Sequence, residues 1–274
     1  MTVHSKLQPY IDAWTHSIEA ISELVSQLTE GEWNRPTECP GWSVRDVVSH
    51  VIGVECEAMG DPRPIHSLPR DLFHVTDEFS RYMEVPVDVR RCHTGPEMTA
   101  ELEYTIIRRS RQLRNENRDP ETMVRGLMGA ERTLELSLRM RAFDVWVHEQ
   151  DIRRALDKPG NLDSPGAVVT RDFLLPQLPK VVAKTAGAPA GSTVAFDVHG
   201  PVEFMRTVRV DTEGTGTIDS SVSLGPTVTL ATDWETFLRL ACGRVRPEGV
   251  ADRVKVEGDQ ELADAVLASL AVTP

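Results

Sequence analysis

The pair Pro159-Gly160 divides this 274-residue sequence into two parts with different hydrophobic periodicity. Before the pair, apolar residues recur at the spacing of one face of a helix. After it, several segments alternate apolar and polar residues with the period of a strand. Because proline and glycine together stop a helix, we predict a helical domain over residues 1–160 and an α+β domain over residues 161–274.

The N-terminal part is predicted to form a four-helix bundle. Four segments carry an apolar stripe at helical spacing: residues 7–28, a helix that begins at Ser43, residues 97–115 and residues 134–156. Ser43 and Asp46 can cap the second helix. Residues 60–95 are rich in proline and are expected to form a crossover with one short helix near residues 76–83. Four helices with one long crossover are an established bundle topology.

The C-terminal part is predicted to mix helices and strands. The expected helices cover residues 165–186, the segment from a capping box at Thr232 to Ala241, and the segment from Asp259 to Leu270. The expected strands lie around residues 194–198, 204–210, 228–230 and 253–257. Segregated strands and helices of this kind are typical of an α+β domain.

Charge and composition exclude several classes of function. A net charge of −12 argues against a broad nucleic-acid-binding face, since phosphate contact needs clustered Lys and Arg. No stretch reaches the roughly 20 apolar residues of a membrane span, and the first residues carry no apolar signal-peptide core. The four cysteines are scattered without a CxxC pair, as in reduced cytosolic proteins. We therefore expect a cytoplasmic protein with neither nucleic acid nor membrane as partner.

The fourth predicted helix carries a carboxylate and an imidazole on one face. Asp144 and His148 are four residues apart, so their side chains stand one above the other. The same face carries apolar residues such as Leu138 and Ile152, which directs His148 toward the bundle interior. Facing helices of a bundle are where cation sites are built.

A third ligand has to come from another helix, and His50 is the best candidate. It lies three residues after Val47 and four before Val54, beside the apolar stripe of the second helix. Two imidazoles and one carboxylate suit zinc and related first-row metals. Three protein ligands would leave a position open for water, thiol or substrate, as in catalytic sites.

Other roles fit the same residues. From spacing alone, a hydrogen-bonded core pair or an ion pair of Asp144 and His148 is favoured over a metal site. Four charged residues are expected to form a solvated salt-bridge face: Glu149, Asp151, Arg153 and Arg154. Asp151 fits equally well a role in holding the second ring nitrogen of His148. Cys39 is expected to be an inert buried thiol, and Trp42 a core residue.

Three lines of sequence resemble one known family. The line Glu-Trp-Asn-Arg-Pro-Thr-Glu-Cys-Pro-Gly-Trp-Ser-Val-Arg-Asp-Val-Val-Ser-His, which ends at His50, resembles the N-terminal signature of the mycothiol-dependent maleylpyruvate isomerase family, a branch of the DinB-like metal-binding bundles. Residues 145–156 resemble its second signature. Residues 234–244 and 256–259 resemble its sterol-carrier-like domain. The resemblance covers nearly the whole chain.

The resemblance implies a DinB-like four-helix bundle followed by a smaller α+β sterol-carrier-like domain. It also implies a divalent metal, with zinc favoured, bound by His50, position 144 and His148, which would be the catalytic residues. The family's usual ligand at position 144 is glutamate, whereas this chain has Asp144, an arm one methylene shorter.

The function that the resemblance implies is addition of a metal-activated thiolate of mycothiol to an electrophilic small molecule. The enzyme would be an S-transferase or a cis-trans isomerase of the maleylpyruvate type. A different class stays open: a non-catalytic binding protein for a hydrophobic small molecule, with a structural metal. The sequence leaves the substrate and the oligomeric state undetermined, with a monomer among the options.

Overall fold

The computed structural model describes residues 3–219 and 225–273. Internal contacts divide the chain into one unit up to Val169 and a second from Thr170. The first unit is helical and the second combines helices with a sheet, so the predicted fold class is confirmed. The predicted domain boundary at residue 160 stays a prediction. Within the described residues, no helix is long and apolar enough to cross a bilayer.

The first unit contains the four predicted bundle helices and two shorter ones. Its helices are α1 (Gln8–Val25), α2 (Glu30–Trp33), α3 (Val44–Ala58), α4 (Glu78–Asp88), α5 (Gly95–Arg114) and α6 (Leu134–Ala155). Helices α1 and α3 each contact both α5 and α6, which closes the bundle, and α4 packs on α3. Sequence analysis did not predict α2 or the short hairpin of β1 (Met123–Arg125) and β2 (Glu131–Thr133).

Apolar side chains from all four long helices meet in one core. Representative members are Trp14 and Ile18 of α1, Val51 of α3, Leu102 of α5 and Val145 of α6, each almost fully buried. Burial of one such side chain contributes roughly 1.5–3 kcal/mol. Packing of these stripes fixes which polar residues face each other across the bundle.

A capping box fixes the start of α3. Ser43 Oγ accepts a hydrogen bond from the Asp46 backbone N–H, and Asp46 Oδ2 accepts one from the Ser43 backbone N–H at 2.9 Å. This reciprocal pair satisfies two N–H groups that the helix itself leaves without acceptors. The predicted cap is confirmed, and it fixes where the helix that carries His50 begins.

The second unit is built on a five-stranded sheet. Its elements are α7 (Pro165–Leu174, which begins in the first unit), α8 (Leu178–Lys180), β3 (Thr193–His199), β4 (Phe204–Val210), β5 (Gly216–Asp219), β6 (Val228–Asp233), α9 (Trp234–Ala241), β7 (Lys255–Gly258) and α10 (Gln260–Ala268). The strand order is β5-β4-β3-β6-β7. Strands β3 and β6 are parallel, and the other pairs are antiparallel.

Two predictions for this unit are wrong in detail. The single helix expected over residues 165–186 is interrupted. A 3₁₀ turn at Leu175–Gln177 precedes α8, and a π-helical turn at Val181–Thr185 follows it. Pro176 and Pro179 explain the interruption, since proline removes a backbone donor and clashes with the preceding turn. The cap of α9 is Asp233 rather than Thr232, because Asp233 Oδ1 accepts a hydrogen bond from the Thr236 N–H at 2.9 Å.

Candidate metal centre

The three predicted ligands meet between α3 and α6. His50 Nε2 lies 3.5 Å from Asp144 Oδ2, and His148 Nε2 lies 3.7 Å from Asp144 Oδ1. The two imidazole rings are 4.7 Å apart between centroids. One donor atom from each residue lies within 4.8 Å of the others. Two nitrogen donors and a carboxylate oxygen therefore converge in a space of the size of one ion.

The protonation states of Asp144 and His50 suit the binding of a cation. Burial raises the pKa of Asp144, but the Arg141 guanidinium, together with the neighbouring imidazoles of His148 and His50, outweighs this effect and holds that pKa well below the usual range. Burial lowers the pKa of His50, against the opposing effect of the Asp144 carboxylate. At neutral pH the carboxylate is ionised and the His50 ring is uncharged, which leaves lone pairs on both residues.

The ring nitrogens of His50 are buried polar atoms that make no hydrogen bond to a described residue. An unpaired buried polar atom costs about 1–3 kcal/mol, so such atoms are rare without a reason. A cation bound to Nε2 would remove part of this cost. The donor set and the unsatisfied imidazole thus fit a first-row divalent metal.

His148 is held differently, through Asp151. Asp151 Oδ2 lies 3.0 Å from His148 Nδ1 and also accepts a hydrogen bond from Cys39 Sγ at 3.2 Å. Asp151 Oδ1 accepts one from Arg154 Nη2 at 2.7 Å. A carboxylate at Nδ1 keeps the proton on that nitrogen, so the lone pair of the neutral ring is on Nε2, the nitrogen that faces Asp144.

The solvated salt-bridge face predicted for this part of α6 is wrong for its acidic members. Glu149 and Asp151 are fully buried, and only Arg153 and Arg154 are partly exposed. Glu149 Oε1 accepts hydrogen bonds from Arg153 of the same helix and from Asn161 in the segment that follows it. Local charge alternation cannot distinguish this buried pairing from an exposed one.

Trp42 lies over the two imidazoles. Its ring centroid is 5.1 Å from that of His50 and 6.3 Å from that of His148. The indole Nε1 donates a hydrogen bond to Glu84 Oε2 at 2.9 Å. Glu84 is fully buried and also contacts His74 Nε2 at 2.9 Å. Trp42 was predicted as a core residue, and its position beside the imidazoles was not foreseen.

A tight turn places Trp42 there. The Trp42 N–H donates to the Cys39 carbonyl at 3.0 Å, and Gly41 has a φ of 76°. Proline followed by glycine at the two central positions suits a type II turn, which requires positive φ at the second. The Thr37 N–H then donates to the Trp42 carbonyl at 2.9 Å, which closes a small loop immediately before α3.

Sequence analysis missed two charged residues near the site. Arg141 Nη1 donates to Asp144 Oδ2 at 2.7 Å, and Arg141 Nε donates to the fully buried Glu55 at 2.9 Å. The arginine stands three residues before Asp144 on α6, a spacing that could have indicated the pair. Glu55 follows Val51 by four positions in the apolar stripe of α3, which was the other available signal.

Comparisons with known proteins match both units. Residues 14–153 match the profile of the mycothiol maleylpyruvate isomerase N-terminal domain, and residues 169–265 match that of the MDMPI C-terminal domain. No curated protein sequence matches the chain at a significant level. The two profiles together span most of the chain.

Solved structures share the fold over nearly the whole length. A crystal structure of the mycothiol-dependent maleylpyruvate isomerase covers 94% of this chain and 96% of its own, with 15% identity and a TM-score of 0.57. A mutant of that enzyme gives the same coverage, with 16% identity and a TM-score of 0.56. Sterol Carrier Protein 2 Like 2 from Aedes aegypti covers 35% of this chain and 93% of its own, with 15% identity and a TM-score of 0.29, and this likeness supports no conclusion.

Proposed function

The chain belongs to the mycothiol maleylpyruvate isomerase family, and from that premise we propose that it is a metal-dependent enzyme that uses mycothiol. The proposed reaction is addition of the mycothiol sulfur to an electrophilic carbon of a small molecule. In an S-transferase the adduct is the product. In a cis-trans isomerase, addition turns the carbon–carbon double bond into a single bond that permits rotation. Loss of the thiol then restores the double bond.

One observation carries the proposal: the donor atoms of His50, Asp144 and His148 converge, and the His50 imidazole makes no hydrogen bond to any described residue. These three residues would hold the divalent metal, for which zinc is the favoured ion. When bound, such an ion lowers the pKa of a coordinated thiol and so generates a nucleophile at neutral pH.

The protein groups around the site have separate tasks in this proposal. Asp151 keeps the Nδ1 proton of His148 in place and orients its ring. Burial keeps His50 uncharged, and Arg141 keeps Asp144 ionised. Trp42 covers the two imidazoles with an apolar ring and excludes water from that side.

Metal content tests the site. We expect purified wild-type protein, equilibrated with zinc and desalted, to retain about one ion per chain, and His148→Ala to lose it. His199→Ala is the matched control, because this exposed histidine lies at the end of β3 in the other unit. Equal, substoichiometric metal in wild type and His148→Ala would refute the assignment.

Incubation with mycothiol and a panel of activated alkenes tests the reaction class. Mass spectrometry that detects a stable thiol adduct supports an S-transferase, whereas a changed alkene geometry with thiol regenerated supports an isomerase. Tight binding of an apolar small molecule, with metal present and no turnover of any electrophile, would instead support the binding-protein alternative.

A further inference from the structure

A buried carboxylate joins all four long helices at a single point. Glu55 of α3 accepts hydrogen bonds from Trp14 Nε1 of α1, Arg109 Nε of α5 and Arg141 Nε of α6, at 2.9, 3.0 and 2.9 Å. Glu55 is fully buried, and its three partners are each at most 7% exposed. Arg141 then continues the chain of contacts to Asp144 through Nη1, at 2.7 Å.

The charges of this cluster balance. Glu55 and Asp144 are opposed by Arg109 and Arg141, so two negative groups meet two positive ones. Buried ion pairs persist only where geometry is good and the remaining donors and acceptors are used. Arg141 therefore has a fixed place, with one edge of its guanidinium on Glu55 and the other on Asp144. It is not free to bind the anionic group of a substrate.

This arrangement distinguishes the two oxygens of Asp144. Both oxygens lie near a ligand imidazole, Oδ2 at 3.5 Å from His50 Nε2 and Oδ1 at 3.7 Å from His148 Nε2. Arg141 Nη1, however, donates its hydrogen bond to Oδ2. A guanidinium hydrogen is among the strongest donors to a carboxylate, and its positive charge repels a cation approaching the same oxygen. The two oxygens are thus unequal before any ion arrives.

We propose that Arg141, held by Glu55, is a positioning residue that restricts Asp144 to binding the cation through Oδ1 alone. The inference rests on the proposed metal site and adds to it which oxygen of Asp144 binds the cation. One-oxygen binding keeps a further coordination position free for the thiol or substrate. Without the restriction, Asp144 could bind through both oxygens and fill that position.

Cobalt-substituted protein provides the test, because the visible absorption of Co²⁺ weakens as its coordination number rises. We expect wild type to show the intense spectrum of a four-coordinate ion. Arg141→Met should show a loss of intensity, because Asp144 then binds through two oxygens. The double variant Glu55→Gln with Arg141→Met should show the same loss while it keeps the buried charges balanced, which guards against failure of the single variant to fold.

Arg45→Met is the matched control for a general loss of stability. Arg45 is a buried arginine of the same bundle, paired with Glu30 and without contact to Asp144. Its spectrum should equal that of wild type. An unchanged spectrum in both Arg141 variants, or an equal change in Arg45→Met, overturns the inference and leaves the metal site standing. Absence of stoichiometric Co²⁺ in wild type would instead overturn the site itself.

Discussion

At the scale of single residues, the two histidine rings of the site are oriented by different interactions. His148 is held at Nδ1 by Asp151, whereas neither nitrogen of His50 has a hydrogen-bond partner among the described residues. Trp42 contacts the His50 ring from one side. The orientation of His148 is therefore set by a specific hydrogen bond, and that of His50 by packing.

Replacement of Asp151 should reveal this difference. In Asp151→Asn one carboxylate oxygen becomes an amide nitrogen, so His148 and Arg154 compete for a single acceptor. We expect metal affinity, measured by competition with a chromophoric chelator, to fall about 10- to 100-fold. Nitrogen-15 chemical shifts of His148 should also show a mixed tautomer in the metal-free protein.

The control for that variant is Asp77→Asn, which alters a capping carboxylate on α4 that has no contact with the ligands. It should leave both the affinity and the histidine spectrum unchanged. A wild-type spectrum in Asp151→Asn would show that packing alone orients the ring.

At the scale of elements, the turn at Gly41 determines where Trp42 lies. A Cβ on Gly41 would stand 2.2 Å from His74 Nδ1, and the φ of 76° is itself costly for a residue with a side chain. We expect Gly41→Ala to reduce the free energy of unfolding by about 1–3 kcal/mol. Displacement of His74 should also disturb Glu84 and lower metal affinity.

Gly60→Ala separates the effect of backbone strain from the effect of the clash with His74. Gly60 has a similar φ of 89°, but nothing lies within 4 Å of an added Cβ. Denaturant unfolding of both variants should show a smaller loss for Gly60→Ala, with metal affinity unchanged. Equal losses in the two variants would assign the whole effect to backbone strain and none to His74.

The cap of α9 gives the second unit a pH-dependent term. Burial raises the pKa of Asp233, but hydrogen bonds from Thr236 outweigh this effect and lower it below the usual value. A lowered pKa in the folded state means that the stabilisation is complete above the unfolded value of about 3.9 and is lost as the pH falls through the folded value.

Comparison of wild type with Asp233→Asn tests this expectation. Asparagine can still accept the backbone hydrogen bond but cannot titrate. Urea unfolding between neutral and acidic pH should show that wild type loses its advantage over the variant as the pH falls below about 4. A difference in stability that is independent of pH would contradict the assigned shift.

At the scale of the whole molecule, a ligand bound to the bundle should stabilise the first unit. Binding to the folded state alone contributes RT ln(1 + [L]/Kd), about 2.7 kcal/mol at 100 times Kd. We expect zinc to slow amide exchange most in α3 and α6, which carry the ligands, and chelation to reverse the effect. The same protection in His148→Ala would place the ion elsewhere.

The helices that were predicted for the first unit follow from local sequence patterns, namely apolar spacing and capping residues. Apolar spacing gave the four bundle helices, and Ser43 with Asp46 gave the start of α3. The pair Asp144 and His148 shares one helix, so its common face follows from helical geometry alone. The choice of His50 as the third candidate rested on its place beside the apolar stripe of α3, and the family resemblance supported it.

Only the tertiary structure decided which charged and polar groups are paired with each other. Glu55 and Arg141 are 86 residues apart, and Trp42 and Glu84 are 42 apart, so no local pattern joins them. Such pairs form because packing of the helices brings the groups into a region of low dielectric, where each must find an opposite charge or a hydrogen bond. The sequence thus determined the helices and the candidate ligands, and packing determined how those ligands are oriented.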